Sequence, residues 1–119
     1  MYYRVIAPHR SEYPDPIRLR RGEALVVGER YEGPEGWDDW LFCSTASHPG
    51  GWVPAQLIEA TGPGVGRAMA DYSARELDVN EGEALTGERE LNGWAWCVRA
   101  GGLDAGWVPL ANLVRVAAA

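Results

Sequence analysis

The chain has 119 residues, 11 of them Arg and 17 acidic, for a formal charge of −6. That length holds one ordinary domain or two very small ones, and 46% apolar with 24% charged residues is the composition of a globular chain. The acidic balance offers no basic footprint for nucleic-acid phosphates and disfavours an anionic membrane surface.

The opening, Met1 to Arg10, lacks a basic region followed by an apolar stretch. No signal peptide is expected there, which implies a cytoplasmic chain. No apolar run approaches the ~20 residues that cross a bilayer. From Arg4 onward the sequence repeats itself. Arg4-Val-Ile-Ala7 returns as Arg67-Ala-Met-Ala70, Gly22-Glu-Ala-Leu25 as Gly82-Glu-Ala-Leu85, and Gly28-Glu-Arg30 as Gly87-Glu-Arg89. Trp40-Leu-Phe-Cys43 returns as Trp94-Ala-Trp-Cys97, and Gly51-Trp-Val-Pro54 as Gly106-Trp-Val-Pro109. Five blocks in one order predict a tandem duplication, with a first domain over 1–60, a Gly/Pro linker over 61–66 and a second domain over 67–117. Residues 1–60 hold 6 Arg and 9 acids, residues 61–119 hold 5 Arg and 8 acids, so each half carries −3.

Within each repeat the pattern is strand and turn. Glu83–Arg89, Gly93–Arg99, Trp107-Val108 and Leu113–Val116 are short runs bounded by turn residues. No stretch keeps helical apolar spacing over three turns. Ala-Gln-Leu and Leu-Ala-Asn-Leu, which follow Pro54 and Pro109, predict one turn of 3₁₀ helix each. The fold class is therefore all-β, with about five short strands per repeat, and closure into a barrel removes the edges that a small open sheet would expose.

Few residues suggest chemistry. Cys43 and Cys97 occupy the same repeat position and are expected to be buried, inert thiols, each in its own barrel and not joined. His9 and His48 are the only histidines, and no Cys/His spacing for a metal is present. Cys43 and His48 lack a third orienting group for nucleophilic catalysis. Asp38-Asp39 read as solvated loop acids, and Asp15 and Asp71 as turn formers. Gly22, Gly51, Gly82 and Gly106 read as turn and close-packing glycines. Gly62, Gly64 and Gly66 complete no phosphate-binding pattern. The expectation is no enzyme, no metal and no cofactor. Six Trp are the composition's main feature. Trp37 lies in a loop extended in the first repeat only, where it is a candidate partner contact.

Residues 68–116 contain Ala-Met-Ala-Asp-Tyr, Glu76-Leu-Asp-Val, Glu81-Gly-Glu-Ala-Leu, Gly93-Trp and Gly106-Trp-Val-Pro. This order resembles the Src-homology-3 (SH3) pattern. The first half matches less literally, through Gly22-Glu-Ala-Leu, Trp40 and Gly51-Trp-Val-Pro. Together the halves are similar to the variant tandem SH3-like proteins of bacteria. The resemblance implies two five-stranded barrels packed side by side. It also implies an aromatic groove for a polyproline II peptide. In the second repeat the groove positions fall on Tyr72, Glu76, Trp94, Trp107, Pro109 and Asn112. In the first they fall on His9, Pro16, Trp40, Trp52, Pro54 and Leu57. The second set keeps more of the pattern, so it is expected to be the principal site, with Glu76 available for a basic ligand residue. Ala7 and Ala70 replace one groove Tyr, and Leu57 and Asn112 another, which weakens the expectation of PxxP binding. Phe42 and Trp96 stand where the family has a polar, outward residue. Large aromatics there call for cover, expected from an interdomain seam, with a homodimer or a partner protein as the alternatives. The implied function is non-catalytic recognition of a protein or peptide, against the alternative of a small molecule or cell-wall fragment.

Overall fold

A computed structural model describes residues 1–32 and 39–117. Alternation of inward and outward side chains along short extended runs sets the secondary structure. In β1 (Tyr2–Val5), Tyr3 and Val5 are buried while Tyr2 and Arg4 face out. The remaining strands are β2 (Arg18–Leu19), β3 (Ala24–Arg30), β4 (Trp40–Thr45), β5 (His48–Pro54), β6 (Ile58–Gly62), β7 (Val65–Ala68), β8 (Tyr72–Ser73), β9 (Ala84–Leu91), β10 (Trp94–Arg99), β11 (Ala105–Pro109) and β12 (Leu113–Val116). Single 3₁₀ turns at Ala55–Leu57 and Leu110–Asn112 follow the two prolines. Among the described residues the structure is all-β apart from these turns, and its sheets are consistent with SH3-like barrels.

The strands form two five-stranded sheets, ordered β11–β10–β9–β1–β12 and β5–β4–β3–β7–β6, and a β2–β8 pair. The order departs from the expected division at 1–60, 61–66 and 67–117. One compact unit is Met1–Pro14 with Arg75–Ala119, and the other is Asp15–Ala74. Each repeat's opening strand completes the unit built from the other repeat. β1 lies between β12 and β9, with Arg4 opposite both Val114 and Ala84. β7 lies between β6 and β3, with Arg67 opposite both Glu59 and Ala24. The bonds that seat the two strands are equivalent. Val5 N–H donates to Glu83 O and Gly82 N–H to Val5 O, while Ala68 N–H donates to Glu23 O and Gly22 N–H to Ala68 O.

Local chain geometry favours this exchange. The stretch expected as a linker is a hairpin: β6 turns straight into β7, with Ile58 opposite Ala68 and Gly62 opposite Val65. Only Pro63 and Gly64 separate the strands, and Gly64 has a φ of 69°, which glycine adopts without strain. A two-residue connection closes a smaller loop than pairing with a distant strand, so its entropic cost is low. At residues 13–16, Tyr-Pro-Asp-Pro biases the residue before each proline toward extended backbone. At the second crossing, only Ala74 and Arg75 join β8 to the next paired residue, Glu76, so the chain runs on rather than turning back.

The core of the first unit is Tyr3, Val5, Leu77, Val79, Leu85, Ala95, Cys97, Val108 and Leu113. In the second, Ile17, Leu19, Leu25, Trp40, Cys43, Val53, Ala68 and Tyr72 are buried. Both cores draw on residues from opposite halves of the sequence. A polar clasp reinforces β1: the Tyr3 hydroxyl donates to Glu90 Oε1 at 2.5 Å, and Arg115 Nη2 donates to the same oxygen at 2.8 Å. The three strands joined are those the exchange brings together. Burial and the carboxylate beside it push the Tyr3 hydroxyl up, and the bonds from Tyr3 and Arg115 hold Glu90 below the usual carboxylate range.

Removing residues 1–14 deletes Tyr3 and Val5 from the first core, at about 1.5–3 kcal/mol of lost burial each. A unit of this size has about 3–9 kcal/mol of stability in total. Amide spectra should therefore lose dispersion over 75–117 and keep it over 15–74; the reverse pattern would place β1 in the other unit. The clasp makes a pH-dependent contribution. Glu90, whose folded value is lowered, stabilises above its unfolded pKa, and this is lost as pH falls through the folded value. Tyr3, whose folded value is raised, stabilises below its unfolded pKa, and this is lost as pH rises through the folded value. The Tyr3→Phe change should cost about 1 kcal/mol in urea melts near pH 7, and less in acid and in strong alkali.

Candidate functional site

The exchange regroups the residues singled out from the sequence. His9 lies with Glu76, Trp94, Trp107, Pro109 and Asn112, whereas Tyr72 lies with Trp40, Trp52 and Pro54. The expected sets, Tyr72 with Trp94 and His9 with Trp40, are not formed. His9 and Tyr72 have traded places because each belongs to the segment that follows an exchanged strand.

In the first unit, His9 bridges to Val79, and the backbone N–H of each donates to the other's carbonyl at 3.0 Å. Its Nε2 is 2.7 Å from Glu76 Oε1, and its ring stands edge-on to Trp94 at 5.5 Å and 79°. Glu76 is therefore occupied by His9. Trp94 is 8% exposed and Trp107 is 4% exposed. Trp96 lies edge-on to Trp107 at 5.3 Å, and the Arg89 guanidinium sits 5.6 Å from the Trp107 ring centre. Asn112 has a role that sequence reasoning missed. Its side-chain amide donates to Ala7 O at 3.2 Å and to Pro8 O at 3.0 Å, clipping down the segment after β1. Pro109 is buried opposite Trp94 across β10 and β11.

Gly106 carries the Gly-Trp-Val-Pro motif against the chain entering from residue 75. A Cβ there would fall 2.8 Å from Leu77 N and 2.9 Å from Glu76 C, both backbone atoms that cannot swing aside. The approach lets Trp107 N–H donate to Arg75 O and Leu77 N–H to Trp107 O, closing the barrel edge.

The second unit presents its aromatics differently. Trp40 is buried, and Tyr72 donates its hydroxyl to Trp52 O at 3.0 Å. Trp52 is half-buried, with Tyr31 edge-on at 5.1 Å and Phe42 edge-on at 5.3 Å. Phe42 is 38% exposed and its ring overlies Gly50. Phe42 and Trp96 thus each rest on a Trp of their own unit, a cross-strand pairing between β4 and β5 and between β10 and β11. His48 accepts Gly50 N–H at Nδ1, so Nε2 carries the proton and donates to Asp15 O at 2.7 Å. Trp37 and Asp38 lie outside the described residues. Tyr31 joins the cluster by folding proximity; no repeat motif marked it.

Among the described residues, no group of three His, Cys, Asp or Glu side chains is arranged to hold a metal ion, and no helix is long and apolar enough to cross a membrane. Cys43 and Cys97 are free and fully buried, and burial pushes each thiol up to about 11.

Twisted five-stranded sheets with a Trp pair and a Gly-Trp-Val-Pro edge call for comparison with known families. Residues 2–60 match a variant SH3 domain. No curated protein and no solved structure matches the chain. The variant SH3 match follows sequence order, so it spans β1 together with β2–β6, although β1 closes the other unit. SH3-like domains are in general protein-interaction modules and are typically non-catalytic.

The buried thiols make a direct check of the two cores. At pH 8 about one thiol in a thousand is ionised when its pKa is 11, so a chromogenic disulfide reagent should label neither cysteine before unfolding and both in urea. Stoichiometric labelling of the native chain would show an open core.

Proposed function

We propose that the protein is a non-catalytic recognition module for a protein or peptide, and that its contact surface is the Tyr31–Trp52–Phe42 cluster of the 15–74 unit. The observation that carries this reading is the accessibility of that cluster. Phe42 is 38% exposed and Trp52 half-buried, whereas Trp107, the counterpart of Trp52, is 4% exposed and Trp96, the counterpart of Phe42, is half-buried. A polyproline or apolar segment needs flat rings to lie against, and binding energy concentrates on such aromatic anchors. The −6 charge favours a basic or neutral partner over an acidic one. The second repeat's set, headed by Trp94 and Glu76, is the weaker candidate because His9 covers the one and holds the other.

Tryptophan emission titrated with an Arg-bearing, proline-rich peptide library tests the reading. A saturable shift is expected in the native chain. Trp52→Ala should weaken binding about 30-fold or more, the equivalent of an anchor worth about 2 kcal/mol. Trp94→Ala, if folded, should leave the affinity within a few-fold. Loss of binding in Trp94→Ala alone would return the site to the other unit. No shift with any peptide would remove the proline-rich class.

A further inference from the structure

Each unit receives an opening segment on a short run of the other repeat, and the two receiving runs have opposite charge. Residues 16–21, Pro-Ile-Arg-Leu-Arg-Arg, carry three Arg and no acid; the corresponding residues 76–81, Glu-Leu-Asp-Val-Asn-Glu, carry three acids and no base. The segments they receive are complementary. Residues 9–11, His-Arg-Ser, dock on 76–80. Arg10 Nη1 donates to Val79 O at 2.6 Å, Arg10 Nη2 donates to Asn80 Oδ1, Ser11 N–H donates to Asp78 Oδ1 at 2.7 Å, and His9 meets Glu76. Residues 71–73, Asp-Tyr-Ser, dock on 18–21. Asp71 Oδ1 accepts Arg21 N–H at 2.9 Å, and Ser73 stands opposite Arg18.

Unexchanged closure reverses the side-chain matches, while the bonds to Val79 O and from Arg21 N–H go to main-chain atoms that have equivalents in either closure. By repeat correspondence His9 takes the place of Tyr72 and Arg10 that of Ser73, so Arg10 would stand opposite Arg18, beside Arg20 and Arg21. His9 would meet Pro16, which offers no side-chain acceptor, and the partner of Ser11 N–H would become Arg18. Asp71 would move to Glu81. Like charges directly across a strand pair destabilise it, and opposite ones stabilise it. Choice between two near-identical partners needs repulsion in the wrong pairing as well as attraction in the right one. The backbone bonds that seat β1 and β7 are the same in both units, so they do not distinguish the closures.

We infer that the opposite charges of Arg18, Arg20 and Arg21 and of Glu76, Asp78 and Glu81 are the specificity determinants that direct each opening segment to the other repeat's barrel. These six side chains bias the chain toward one of the two closures, alongside the hairpin and the buried Tyr3. Residues 1–14 are thereby committed to the unit of residues 75–119.

Engineered disulfides read the closure. Arg4 faces Val114 in the exchanged fold, while in the unexchanged fold it would take the place of Arg67 opposite Glu59. Antiparallel partners lie within disulfide reach, and the buried Cys43 and Cys97 do not compete. The full chain carrying Arg4→Cys with Val114→Cys, or Arg4→Cys with Glu59→Cys, is refolded from urea in dilute solution. It is then oxidised, and the monomer is mapped by mass spectrometry. The native background should form the 4–114 bond and not the 4–59 bond. With Arg18→Asp, Arg21→Glu, Asp78→Arg and Glu81→Arg added, the 4–59 bond should dominate. A 4–59 bond in the native background would overturn the exchange itself, and an unchanged 4–114 bond in the folded inverted chain would overturn the role of charge. If the inverted chain does not fold, the milder pair Asp71→Asn with Asp78→Asn gives the same readout. Its 4–59 share should rise several-fold over the native background, and an unchanged share counts against the inference.

Discussion

The pairing of β1 with β9 and β12 is the constraint on which the rest depends. It places Tyr3 and Val5 in a core otherwise made from residues beyond 76, and it carries His9 onto Trp94. It also leaves the 15–74 unit to be closed by its own β6–β7 hairpin. That unit is contiguous in sequence, while the other is assembled from both ends of the chain. The contiguous unit has the lower loop-closure cost, and the discontinuous one must bring together segments separated by sixty residues of folded chain. Without β1 the first unit's sheet is broken between β9 and β12.

A chain whose sequence blocks recur in the same order has a particular folding problem. Two equivalent opening strands can serve two equivalent barrels, and the main-chain bonds that seat them are interchangeable. Hydrophobic burial separates the alternatives in part, since Tyr3, opposite Leu85, has Gly66, opposite Leu25, as its counterpart, and Val5 has Ala68. The remaining discrimination falls to the Pro-Gly hairpin, to the stiff Tyr13–Pro16 crossing, and to the side chains along the receiving segments. Exposed charges contribute little each, but a choice between two folds depends only on the difference, and the net charge of the receiving run changes sign between the two closures.

The same event reshapes the binding surface. In the first unit the positions that match the SH3 groove pattern are turned inward to structural tasks. Glu76 holds His9, Asn112 clips the carbonyls of Ala7 and Pro8, and Trp94 and Trp107 are buried. In the 15–74 unit Trp52 stays half-buried, with Tyr31 and Phe42 edge-on to it. A unit that spends its groove on capturing a segment of its own chain has less of it for a ligand, which is why the two repeats, alike in motif, differ in what they present.

Periodicity, turn residues and repeated blocks were enough to determine the all-β class, the strands from β9 to β12, the 3₁₀ turn after each proline and the burial of both cysteines. These are local properties: alternation, a proline's missing donor and a small residue in a crowded strand act over a few residues. The division into 1–60 and 67–117 was not determined by them, nor was the company of His9 and Tyr72. Residues 61–66 read from the sequence as a Gly/Pro linker, where the structure has a hairpin, and the motifs Arg4–Ala7 and Arg67–Ala70 are alike. Only the tertiary structure decided which strand closes which barrel, because that choice is a comparison between two complete sets of long-range pairings, and no single segment carries it.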